Sequence, residues 1–280
     1  MNGSLRSAEL QLRAARHILP RAPLSRSRFG RFDDRLVFVV GSPRSGTTFL
    51  ASSIGSLPGF IDLGEVAPLK AAIPDLAPLG PAEAGPPIRR ILTRARRLGL
   101  TGSLRPVEQT PEAAFMLPAI VRAFPEARIV HALRDGRDVA CSLLERGWLR
   151  AGRGGGDDAG LPFGSGARFW VEPERRDDFA DVSEARRAAW AWRRYVTAVR
   201  ASGVPVVEVR YERLATDPGA VAADLAEALR APEAPLAAAL ADAYGSSVGR
   251  YAADFQEGEL DDVLAESGDL LRELGYLRDD

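Results

Sequence analysis

Leu36-Val-Phe-Val-Val40 is a β-branched apolar run that leads straight into Gly41-Ser-Pro-Arg-Ser-Gly-Thr-Thr48, after which apolar residues recur at helical spacing to Ser56. A buried strand, a glycine turn and a helix start aim a run of backbone N–H groups and the positive end of a helix at one point, where an anion such as phosphate belongs. Triphosphatases of this geometry follow G-x-x-x-x-G-K-[ST], in which the lysine reaches the terminal phosphates and the hydroxyl binds magnesium. Here Thr47 takes the lysine's place, and the cation has moved inside the loop to Arg44. No hydrophobic strand ending in a clean Asp supplies a second magnesium anchor, so the loop reads as an anion site that works without a metal.

A second arginine cluster follows a second apolar run. Arg128-Ile-Val-His-Ala-Leu133 reads as a strand, and Arg134-Asp-Gly-Arg-Asp-Val-Ala-Cys-Ser142 comes next. A strand-end arginine in an open α/β sheet sits at the ligand crevice. Its planar fork suits a phosphate, and Ser142, two helical turns on, offers a hydroxyl to the same group. Arg146 lies one turn further along that helix face. Without a ligand, Arg137, Asp138 and Arg146 are solvated helix charges, the reading adopted for Arg137.

Together these residues resemble a known family. GSPRSGTTFL is similar to the 5′-phosphosulfate loop of sulfotransferases that use 3′-phosphoadenosine 5′-phosphosulfate (PAPS), and Arg134 to Ser142 resembles the family's 3′-phosphate signature. The PRSGTT wording, with arginine where many cytosolic members have lysine, looks most like the tyrosylprotein sulfotransferases and bacterial relatives acting on carbohydrates or small molecules. The resemblance extends to Tyr211-Glu-Arg-Leu214, to Ser246-Ser-Val-Gly-Arg250 and to Leu274-Gly-Tyr276, and covers roughly Leu36 to Tyr276. It implies PAPS as donor and 3′-phosphoadenosine 5′-phosphate (PAP) as product. It also implies a nucleotide site of Arg44, Ser45, Gly46, Thr47, Thr48, Arg134, Ser142, Arg146, Tyr211, Ser246 and Arg250, and a catalytic pair of Arg44 and Glu65.

Glu65 also stands on chemical grounds, because transfer to a hydroxyl needs a general base and the alternatives are few. His17 lies ahead of the covered stretch, and His131, inside an apolar strand, reads as a hydrogen-bonded core histidine. One departure from the family is Gln109, which stands where relatives commonly carry a lysine near the departing phosphate, so Arg44 or another arginine must take that charge. A magnesium-dependent small-molecule kinase and a non-catalytic nucleotide-binding protein are the competing readings. The acceptor, whether small molecule, carbohydrate or peptide, is not written in the sequence.

To position these groups the chain must alternate strands and helices. Val204 to Val209 reads as a third strand, with Pro205 marking its start. Helical spacing appears over Thr48–Ser56, Pro111–Phe124, Arg137–Gly147, Val182–Ala201 and Gly219–Arg230. Thr110 before Pro111 and Asp217 before Pro218 look like helix starts. The expected fold is therefore three-layer α/β/α around a parallel sheet of four or five strands, P-loop-like, over residues 35–280, preceded by an Arg-rich arm at 1–34. Residues 151–181, glycine-rich and then aromatic, form a candidate acceptor-side lid.

The 280 residues have a net charge of −1 and 46% hydrophobic residues, the composition of an ordinary globular protein and not of a basic nucleic-acid binder. One cysteine and two histidines exclude disulfides and Cys- or His-rich metal sites. No apolar stretch could serve as a membrane span or an export signal, so a cytoplasmic location is expected. The basic arm could attract the tail from Tyr251 to Asp280, which holds ten acids against Arg272 and Arg278. The arm could pack on its own domain or on a second copy, leaving a homo-oligomer open.

Overall fold

The computed structural model describes residues 2–150, 175–243 and 245–277. Most of the candidate lid, including Asp157, Asp158, Phe169 and Trp170, lies outside the described residues. In chain order the elements are α1 (Asn2–Ile18), β1 (Val37–Val40), α2 (Thr47–Gly55), β2 (Phe60–Gly64), α3 (Ala67–Leu76), α4 (Pro81–Leu98) and β3 (Arg105–Glu108). A 3-10 turn (Pro111–Met116) leads into α5 (Leu117–Ala123), β4 (Arg128–Leu133), α6 (Gly136–Arg146), α7 (Arg176–Asp181), α8 (Glu184–Ala201) and β5 (Val206–Arg210). The chain continues through α9 (Tyr211–Thr216), α10 (Pro218–Leu229), α11 (Glu233–Leu240), α12 (Tyr251–Asp254) and α13 (Glu259–Glu273).

The five strands form one sheet in the order β2-β3-β1-β4-β5, and every pairing is parallel. Side chains alternate across the pleat, so β1 feeds two cores. Phe38 and Val40 join a layer with Ile18, Ile88, Leu92, Trp192 and Leu271, while Val37 and Val39 face Leu50, Ile54, Leu225 and Leu236. β1 is buried on both faces and apolar throughout, which is why this run was legible as a strand.

The arm begins with a helix packed on its own chain, with Ala14 and Ile18 of α1 and Ala22 beyond it buried in the first core. It lies against α3, α4 and β2, whereas the acidic α13 packs on α8 and α6. Asp217 caps α10, its carboxylate accepting the Ala220 N–H at 3.0 Å. Thr110 makes no such cap; its hydroxyl turns back to the Glu108 carboxylate. No helix among the described residues is long and apolar enough to cross a membrane.

Candidate active site

β1 pairs with β3 on one side and β4 on the other, so the winding reverses at its carboxyl end and opens the crevice where α/β sheets take ligands. Gly41 to Thr48 occupies that point. Gly41 has φ +152°, and a Cβ there would lie 2.3 Å from the Ala132 carbonyl of β4. Gly46, at φ +89°, forms the left-handed entry to α2 and would meet the Tyr211 ring at 3.0 Å if it carried a Cβ. Both glycines let the loop press against the neighbouring strand ends. Arg44 also holds a positive φ of 75°, a strained value for a non-glycine residue and one that recurs at ligand clamps.

The two arginine signatures meet here. Arg44 Nε donates to Ser142 Oγ at 2.9 Å, and an Arg134 N–H donates to the Arg44 carbonyl at 3.1 Å. Arg134 is 5% exposed, lies 4.6 Å over the Tyr211 ring and donates to the Ser247 carbonyl. Trp192 fixes this strand end by donating its indole N–H to the Arg134 carbonyl at 3.0 Å. Arg44, Ser142, Arg134, Tyr211 and the 246–250 segment therefore converge, with Ser45 and Thr47 buried in the loop and Thr48 exposed beside them. Two other candidates sit further out. Arg146 is exposed at the end of α6, and the Arg250 guanidinium pairs with Glu145 and with Asp254 at 2.6 Å.

Several residues that hold this cluster were not anticipated. Asp138 is buried and accepts N–H groups from Gly249 at 2.8 Å and Tyr251 at 3.1 Å, and it lies 3.8 Å from Arg134. Its spacing of four from Arg134 was the available signal. Arg137, read as a solvated charge, is instead part-buried: it pairs with Asp135 at 2.6 Å and donates to the Tyr276 carbonyl at 2.8 Å. Tails and loops that approach from distant sequence supply these partners, and local spacing does not reveal them. Glu212 accepts the Asp135 N–H at 2.8 Å and the Tyr276 hydroxyl at 3.0 Å, tying the YExL and terminal motifs together; burial raises its pKa.

Glu65 follows β2, on the far side of β3 from the loop. Its side chain is 34% exposed and ion-paired with buried Lys70. Behind it are two buried carboxyls. Glu108 accepts N–H groups from Val66 at 3.2 Å and Thr110 at 3.0 Å, and burial pushes its pKa up to about 7. Glu112 accepts the Tyr195 hydroxyl at 3.0 Å, and burial raises its pKa too. Gln109 donates its backbone N–H to the Gly64 carbonyl at 3.3 Å, and its side-chain oxygen is buried without a partner.

His131 does not fit as the base, being buried in the core. His131 is a core residue, but its nearest acid, Glu208, is 3.8 Å away and its Nε2 has no partner, so the expected hydrogen bond is absent. Burial pushes its pKa down to about 4. His17, placed by sequence ahead of the covered stretch, in fact packs on the Gly64 backbone: a Cβ on that glycine would lie 2.3 Å from Nε2.

The residues present fit a nucleotide carrying two phosphoryl groups. Ser45 Oγ and Arg134 Nε are both buried without a partner, one in each signature. Buried polar atoms of this kind are costly unless something satisfies them. No side chain caps the first turn of α2, so its N–H groups point into the same crevice.

Residues 82–235, just over half of the chain, match the model of the sulfotransferase family. Arg134, Ser142 and Tyr211 fall inside that stretch, and Arg44 and Glu65 precede it. No curated protein sequence matches the chain. Among solved structures, a sulfotransferase domain from the curacin biosynthetic pathway is similar with a TM-score of 0.55 and 15% identity, over 89% of this chain and 100% of that one. The sulfotransferase domain of the Synechococcus PCC 7002 olefin synthase follows at 0.52 and 16%, over 92% and 98%. A sulfotransferase of Mycobacterium avium gives 0.51 and 14%, over 95% and 85%. These likenesses are of fold.

Proposed function

The chain belongs to the sulfotransferase family, and from that premise we propose that it transfers the sulfuryl group of PAPS to a hydroxyl or phenol of a small-molecule, carbohydrate or peptide acceptor, with Glu65 as general base. PAPS, when bound, supplies a sulfuryl group already activated by a phosphate leaving group. Arg44, the Ser45 hydroxyl, the Gly46 amide, the uncapped turn of α2 and the Thr47 and Thr48 hydroxyls would hold its 5′ end. Arg134 and Ser142 would hold the 3′-phosphate, Tyr211 would lie against the nucleotide, and Arg146, Ser246 and Arg250 would close the rim.

The supporting observation is the pair of hydrogen bonds that join the signatures, from Arg44 to Ser142 and from Arg134 to the Arg44 carbonyl, across 98 and 90 residues of sequence. One crevice would thus hold both anion grips. Glu65 would accept the acceptor's proton. With β3 between them, the ends of β1 and β2 lie about 10 Å apart, which leaves space for an acceptor oxygen between the carboxylate and the loop. Fixed donors at the loop would stabilise negative charge as it develops, with no reorganisation needed at the moment of reaction.

Calorimetry tests the two grips. PAP is expected to bind at least about tenfold more tightly than adenosine 5′-phosphate, because the latter leaves Arg134 and Ser142 without a ligand. Equal affinities would overturn the assignment. Arg44→Ala and Glu65→Gln are each expected to abolish sulfuryl transfer, read as a gain of about 80 Da on the acceptor, with Glu65→Gln still binding PAP. Chelation by EDTA is expected to leave the rate unchanged.

A further inference from the structure

The chain has 37 basic residues, and only Lys70 among them is lysine. It lies in the first turns of α3, which starts directly after Glu65 and Val66, and it is 5% exposed. Its ammonium is ion-paired with Glu65 Oε2. The same ammonium attracts the fully buried Glu112 carboxyl, which Glu65 repels. Glu108, also fully buried, is repelled by Glu65 as well. Glu65 and Glu112 thus share one cation, and Glu108 adjoins Glu65. A compact ammonium has three donors that can address acceptors in different planes, where a planar guanidinium would commit to one carboxylate face.

We propose that Lys70 is the positioning residue of the reaction, holding the Glu65 carboxylate in one orientation toward the acceptor. This rests on Glu65 being the base. Lys70 is buried and Glu65 is a third exposed, so the ion pair fixes the carboxylate from its inner side. Lys70 neutralises the cluster from its buried side and leaves the exposed side of Glu65 to the acceptor. Other titratable or charged groups face the pair: Glu108 from β3, Glu112 and its donor Tyr195 from the 3-10 turn and α8, Arg194 acting on Tyr195, and His17 and Asp62 around Gly64. Of these, Glu108, Glu112 and Asp62 are acids, and among the described residues Lys70 is the cation in direct ion pairing with Glu65.

The test is the pH–rate profile of Lys70→Met beside Lys70→Arg and Glu65→Gln, with PAP affinity measured on each. Lys70→Met is expected to lower kcat about tenfold or more and to displace the acid limb of the profile, since the carboxylate then loses the ion pair that orients it. PAP affinity is expected to stay at the wild-type value, and Lys70→Arg to restore the position of the limb. A buried Glu112 left uncompensated could unfold the single variant; Lys70→Met with Glu112→Gln removes that charge and is expected to show the same displaced limb. A wild-type limb and rate in either methionine variant, with Glu65→Gln inactive, overturns the role of Lys70 and leaves Glu65 as base. Full activity in Glu65→Gln removes both.

Discussion

Asp138 accepts two backbone N–H groups from the 249–251 segment while lying beside Arg134, so one carboxylate sets the distance between the strand-end arginine and the late loop. Asp138→Asn keeps the shape but turns an NH2 group toward donors. A buried donor facing a donor costs about 1–3 kcal/mol. PAP affinity is therefore expected to fall about tenfold, with a lower melting temperature; unchanged affinity in calorimetry would show that the late loop needs no such anchor. His131 makes a different statement, about pH. The unfolded chain protonates this side chain below its ordinary pKa of 6.5, whereas the folded chain resists until about 4. Stability is thus lost as pH falls through that window. Glu108 works in the opposite sense: its folded pKa is about 7 against 4.5 unfolded, so stability is lost as pH rises between those values. The two oppose each other where the windows overlap. His131→Leu removes only the acid-side loss, so its effect on stability is expected to be about 2 kcal/mol more favourable at pH 5 than at pH 8 by urea unfolding. The same effect at both values would mean that the folded chain protonates His131 freely.

At the level of elements, the contact between α6 and α8 holds the second signature in place. Gly136 opens α6 against the Trp192 ring, where an added Cβ would lie 2.6 Å from ring carbons. Trp192 is fully buried and also bonds the Arg134 carbonyl, so it cannot retreat. Gly136→Ala is expected to cost about 1–3 kcal/mol in thermal or urea unfolding, the range for overpacking a core, and to weaken PAP binding by displacing Arg134. Wild-type values for both would mean that the two helices part without strain. The same elements show where sequence reading succeeds. β1, β4 and β5 are β-branched runs and were legible within two residues. β3 was not, because Arg105-Pro-Val-Glu108 carries a proline and two charges in a strand buried between β2 and β1. Its charges are satisfied from afar: Arg105 donates to the Arg35 and Leu229 carbonyls at 3.1 and 2.6 Å, and Glu108 takes N–H groups from Val66 and Thr110. Prolines inside α4 hid that helix in the same way. The anion loop was readable because its chemistry is local, whereas the parts played by Asp138, Glu212 and Lys70 depend on partners that only the fold supplies.

Across the whole molecule, the end of the described chain returns to the crevice without contributing a group to it. The Tyr276 hydroxyl donates to Glu212, its carbonyl accepts from Arg137, and its ring lies 5.2 Å from the Arg210 guanidinium, which also donates to the Leu274 carbonyl at 2.9 Å. Glu212 in turn receives the Asp135 N–H, so the loops after β4 and β5 are fastened to each other directly and both to the tail. Loops at strand ends are mobile unless tied down, and ordering them in advance is what makes an anion grip tight. Tyr276→Phe removes one hydrogen bond and is expected to cost about 1 kcal/mol of stability. Tyr276→Ala also removes the ring and is expected to weaken PAP binding several-fold, about 1 kcal/mol, while adenosine, which lacks both phosphates, binds as weakly as before. A uniform loss for PAP and adenosine would point to general loosening of the fold, and no loss for PAP would detach the tail from the nucleotide crevice. The distinguishing outcome is selective loss for the phosphorylated ligand, because Arg134 and Ser142 belong to the segment after β4 that Tyr276 holds through Arg137.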